Sequence, residues 1–154
     1  MKTIRIIVVW LSLSLLVILT AGAAETSLHG QTGKPARPLI AIIIDDLGNQ
    51  HEQGERAVHL PGPVACSFLP YGPFTRSLAS LAHMQNKEVL LHLPMQAMSG
   101  RAIDAGGLHM DMPETQFLDT LQQDLAAVPG AVGVNNHMGS LLTRHPGAKA
   151  WLMH

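Results

Sequence analysis

This chain of 154 residues has no second cysteine, so no intramolecular disulfide can brace it. The lone Cys66 lies in Val64-Ala65-Cys66-Ser67-Phe68-Leu69, which reads as a strand with the thiol as a small core group. It also has no excess of basic residues, with 10 Lys and Arg against 11 Asp and Glu. Lys2 and Arg5 lie at the extreme N-terminus, so the rest of the chain is mildly acidic. That excludes the basic patch a nucleic-acid surface requires. Internal repeats are absent. So is any charge between Ile6 and Ala24.

That uncharged stretch follows two basic residues and ends in Ala21-Gly22-Ala23-Ala24 before Glu25. The order is that of a secretory signal peptide, and the small residues favour cleavage near Ala23 or Ala24. The stretch is also long enough to anchor the chain in a bilayer through residues 6–24. On either reading of residues 1–24 the remainder is expected to be exported, periplasmic or membrane-anchored and facing the periplasm. Residues 25–38 are polar, with Gly30, Gly33, Pro35 and Pro38, and read as a flexible linker. The folded domain is expected over 39–154.

Within it, apolar runs alternate with helical patterns. Leu39 to Ile44 is short and rich in β-branched residues, the pattern of a strand buried on both faces. A short helix is expected from Gln50 to His59, then a strand from Val64 to Leu69. A helix from about Thr75 to Asn86 and a strand from Glu88 to Leu93 follow. A long loop runs from Gln96 to Met110. Asp111-Met112-Pro113-Glu114 has the form of a capping box, opening a helix to about Val128 with Phe117, Leu118, Leu121 and Leu125 inward. A fourth strand covers Ala131 to Val134, and Pro146 opens a last helix. Strand–helix alternation of this kind predicts an α/β fold with a parallel sheet and right-handed crossovers. Four strands leave sheet edges uncovered, so the chain reads as the N-terminal part of a longer domain.

Two carboxylates, Asp45 and Asp46, close the first strand. Adjacent carboxylates at a buried strand end need a neutralising partner, a metal ion or a shared proton. His92 falls near the end of the third strand, and His137 follows the fourth. Parallel strands bring their carboxyl ends to one face, so Asp45/Asp46, His92 and His137 should converge. A carboxylate with two imidazoles is a ligand set for zinc and for other divalent ions. Taken singly, each has a plainer reading: an Asp-Asp turn or helix cap, a hydrogen-bonded core histidine, a loop histidine. The polar segment Asn135-Asn136-His137-Met138-Gly139-Ser140 also offers Asn136 and Ser140 as candidate substrate-binding groups. His51, His59, His109, His145 and His154 are assigned to surface or loop.

Three segments carry a resemblance: Ile42-Ile43-Ile44-Asp45-Asp46-Leu47-Gly48, Glu88-Val89-Leu90-Leu91-His92-Leu93-Pro94-Met95, and Val132 to Ser140. In this order and spacing they resemble the divergent polysaccharide deacetylase family of bacteria, from about residue 38 onward. The resemblance implies a distorted (β/α) barrel of the carbohydrate esterase type, here with about four strands. It implies Asp45 as general base and Asp46, His92 and His137 as ligands of a divalent metal, zinc foremost. The wider superfamily has its second metal histidine four residues after the first; here that position is Gln96, and His137 takes its place. The superfamily's acid histidine, late in the domain, has no counterpart here. The implied activity is metal-dependent removal of N-acetyl groups from a polysaccharide or peptidoglycan-like glycan. Two alternatives stand beside it: a non-catalytic envelope protein that binds glycan on the same scaffold, and an inactive truncated product.

Overall fold

The computed structural model describes residues 38–153; the expected signal segment and nearly all of the expected linker lie outside them. Four strands form one parallel sheet in the order β1-β2-β3-β4. They are β1 (Ile42–Leu47), β2 (Val64–Phe68), β3 (Val89–Met95) and β4 (Ala131–Met138). Helices α1 (His51–Val58), α2 (Thr75–Met84) and α3 (Glu114–Ala127) make the crossovers. A 3₁₀ turn, Leu142–Arg144, leads into α4 (Pro146–Leu152). Each strand pairs with the next in sequence, without the order reversal of a doubly wound sheet, which is also how a barrel wall is built. Among the described residues no helix is long and apolar enough to cross a membrane.

One face of the sheet packs on the helices. Cys66, Phe68, Val89, Leu91, Leu93 and Met95 share a core with Leu78 of α2 and Phe117 of α3. Trp151 of α4 meets Phe117 edge to face, ring centres 5.4 Å apart. The opposite face carries alternate residues of the same strands, among them Ser67, His92 and Asn135.

Four local readings need correction. The first strand was expected to be buried on both faces, yet Ile42 and Ile43 are 51% and 43% exposed. It is an edge strand with β2 as its one partner among the described residues. The fourth strand runs four residues beyond Val134, because the β3 ladder continues through His92–Asn135 to Met95–Met138 after the apolar alternation ends. Asp111 does not cap α3: Pro113 is the N-cap residue, and no side chain bonds there. Leu125 is 37% exposed, while Asp124, seven residues after Phe117, takes the buried place on the helix face.

Pro94 sits inside β3 at no cost to the sheet, because pairing with β2 has already ended at Leu91. Gly48, at φ +113°, turns the chain out of β1; a Cβ there would strike the Thr75 hydroxyl. His145 caps α4, its Nδ1 accepting from the Ala148 N–H at 3.2 Å.

Candidate metal centre

The pairing of β1 with β2 slips by one residue at the aspartates. Ile44 lies opposite Cys66 and Leu47 opposite Phe68, so Asp45 and Asp46 together face Ser67. In a regular strand these neighbours would point to opposite faces. The bulge, with Asp46 at φ +59°, turns both carboxylates toward the same cluster. A non-glycine residue in that region costs on the order of 1 kcal/mol, a strain often found at functional sites.

On β3 and β4 the cluster follows from register. His92 lies opposite Asn135 and Pro94 opposite His137, so the two histidines sit diagonally on one face. His92 Nε2 lies 3.1 Å from Asp46 Oδ1. His137 Nδ1 lies 2.9 Å from the same oxygen and 3.1 Å from His92 Nε2. These are the three atoms through which Asp46, His92 and His137 can hold one ion.

The outer atoms decide what the inner ones can do. His92 Nδ1 is 3.0 Å from Asn135 Oδ1. That oxygen also accepts from the Ser67 hydroxyl, while Asn135 Nδ2 donates to Asp45 Oδ1 at 2.8 Å. The amide orientation is thus set by three partners, and His92 must donate from Nδ1. His137 Nε2 meets Asp104 Oδ2 at 3.1 Å and donates to it. With those outer nitrogens donating, the inner nitrogens His92 Nε2 and His137 Nδ1 face Asp46 Oδ1. With the lone pairs of both rings turned inward, three acceptors lie about 3 Å apart, and a metal ion or a shared proton must join them. Imidazole nitrogens backed by an amide oxygen and a carboxylate, with a carboxylate as third ligand, fit a divalent metal with a position left open. His92 is almost wholly buried and Asp46 is 65% exposed, so the site opens on the Asp46 side.

A cleft of about 520 Å³ lies there, lined among others by Asp45, Asp46, Asn49, Gln53, Asp104 and His137. Asp45, about half exposed, borders both the cleft and the cluster.

The structure does not bring the remaining candidates to the cluster. Asn136, one residue out of phase with Asn135 and His137, is exposed and donates to the Met138 carbonyl. Ser140 accepts from the Met98 N–H and tethers the loop after β3. Gln96 holds the same loop, its Oε1 accepting from the Met110 N–H at 2.8 Å. Three residues escaped the sequence reading. Asn135 was legible in principle, since it stands two before His137 on the same strand. Ser67 and Asp104 carried no signal beyond their residue type.

Asp124 is fully buried beneath Gly106, and among the described residues neither carboxylate oxygen finds a hydrogen bond of ordinary geometry. Burial pushes its pKa up to about 7; the adjacent Tyr71 hydroxyl pulls the other way more weakly.

Fold and site together define a parallel α/β protein with a candidate metal centre at the carboxyl edge of its sheet. The divergent polysaccharide deacetylase family matches residues 42–154, and the chain belongs to that family. An uncharacterized protein of Haemophilus influenzae is 34% identical over 118 residues, 77% of this chain and 42% of the relative. The Escherichia coli protein YibQ, also uncharacterized, is 35% identical over 68% of this chain and 33% of its own length. The chain therefore spans less than half the length of either relative. A solved structure from Agrobacterium tumefaciens, of an uncharacterized protein, has the same fold, with a TM-score of 0.68 at 23% identity. It covers 76% of this chain and 52% of that one.

Proposed function

We propose that this chain carries the metal-binding side of a zinc-dependent deacetylase acting on N-acetyl groups of an envelope glycan. The observation that supports it most is the convergence of three atoms, from Asp46, His92 and His137, beside a second carboxylate, Asp45. The bound ion would supply Lewis acidity and an activated water.

The chain's own residues divide the remaining work. Asn135 holds Asp45 through one oxygen, leaving the other free to take a proton from a water in the cleft. Asn135, itself held by the Ser67 hydroxyl, holds the His92 ring; Asp104 holds the His137 ring. The cleft is open on the Asp46 side, and family membership favours a polysaccharide. The signal-like segment at residues 1–24 fits work outside the cytoplasm, in the periplasm or anchored to its membrane.

The test is acetate release from N-acetylated oligosaccharides and peptidoglycan by the zinc-loaded protein. Release that Asp45→Asn abolishes while zinc still binds supports the reading. Zinc binding without release from any such glycan would leave a non-catalytic scaffold instead.

A further inference from the structure

The cleft beside the metal triad has a second wall that the proposed chemistry does not use. Asn49, Gln50 and Gln53 line it, from the turn after β1 and the first turn of α1. All three are exposed. Gln50 occupies the N-cap position of α1, yet its side chain makes no cap bond. Residues selected for capping are short, with an oxygen that reaches back to the helix N–H groups. Gln50 makes no such bond and lines the cleft instead. α1 is held close over α2 by Gly54, where a Cβ would run into Leu78.

The charge of the cleft is one-sided. Asp45, Asp46 and Asp104 line it, and among the described residues no lysine or arginine does. A bound divalent cation offsets two of those three charges and leaves the cleft negative. Its volume of about 520 Å³ lies within the usual range of small-ligand sites.

We infer that Asn49, Gln50 and Gln53 form a subsite for the sugar next to the reacting one, and that it takes uncharged, hydroxyl-rich glycans in preference to acidic ones. Side-chain amides both donate and accept, so they match hydroxyl and N-acetyl groups without requiring charge. An acidic sugar placed there would face the like charges of Asp45, Asp46 and Asp104, with no base among the described lining residues to offset them. The inference rests on the metal-site reading above and adds the substrate class.

The experiment is calorimetric titration of the zinc-loaded full chain with two tetrasaccharides. One is built of N-acetylglucosamine alone; the other alternates it with glucuronic acid. The neutral oligomer should bind at least about tenfold more tightly. Gln50→Ala combined with Gln53→Ala should weaken it about tenfold and leave zinc affinity unchanged. Gln53→Lys should narrow or reverse the preference. Equal or tighter binding of the acidic oligomer, no binding of either, or an unaffected double variant would overturn the subsite. Zinc titration of the same sample separates the two levels. Intact zinc binding with any of those results removes the subsite alone, and failure to bind zinc removes both.

Discussion

His92 and Asn135 stand directly opposite each other across the β3–β4 pairing, with the ring Nδ1 3.0 Å from the amide Oδ1. The same amide donates to Asp45, so one residue fixes an imidazole of the candidate metal site and the proposed base together. Replacing Asn135 by alanine should release the ring. Nitrogen-15 shifts of His92 are expected to show Nδ1 protonated in the wild type and a tautomer mixture in Asn135→Ala. Zinc affinity should fall about 10- to 100-fold. An unchanged tautomer in the variant would mean that Asn135 does not set it.

Asp104 reaches His137 Nε2 from the loop that follows β3. Asp104→Ala should weaken zinc binding by about 10- to 100-fold, as loss of an outer partner of a ligating histidine usually does. Asp104→Asn should lose much less, because an amide oxygen still accepts from the ring N–H. Competitive zinc titration of the three proteins checks this. Equal affinities in all three would show that the loop carboxylate plays no part.

Asp124 gives the fold a pH dependence. Its carboxyl is held protonated up to about pH 7 in the folded chain and ionises at the ordinary carboxylate pKa when unfolded. The folded state therefore binds more protons between those values. The stability contributed is full below the unfolded pKa and is lost as pH rises through about 7. Asp124→Asn should flatten this slope and raise stability at pH 8 by on the order of a few kcal/mol. Urea unfolding at pH 5 and pH 8 measures it. A wild-type protein no less stable at pH 8 than at pH 5 would contradict the account.

Cys66 is fully buried in the β2 layer, and burial pushes its thiol pKa up, with Lys87 opposing weakly. It should stay unreactive toward a disulfide reagent in the folded protein and react fully in denaturant. Being the sole cysteine, it reports global unfolding without a background. Rapid labelling under native conditions would place it outside the core.

Much of this architecture was legible in residue pattern. The apolar runs ending in Asp45-Asp46, His92-Leu93 and Val134-Asn135 announced three parallel strand ends, and parallel strands bring such ends to one edge. Periodicity could not show that a bulge at the aspartates turns both carboxylates to one face, since that depends on pairing with Ser67. Nor could it place Asp104, which arrives from an irregular loop tied down by Gln96 and Ser140. Asp111 looked like a helix cap by spacing, but Pro113 already fixes the entry into α3. Buried Asp124 contradicts the expected burial of its residue type. It stands seven residues after Phe117, on the same helix face.

The most direct test of the metal centre is titration of the metal-free protein with cobalt(II), followed by its visible absorption, and then displacement by zinc. One ion per chain is expected, with a spectrum of low coordination number. Asp46→Ala, His92→Ala and His137→Ala should each weaken binding by about 100-fold or more while the chain stays folded, as a lost direct ligand costs at least what a lost outer partner does. Binding that survives loss of any one of these residues, or no binding by the wild type, would contradict the assignment of Asp46, His92 and His137 as the metal site.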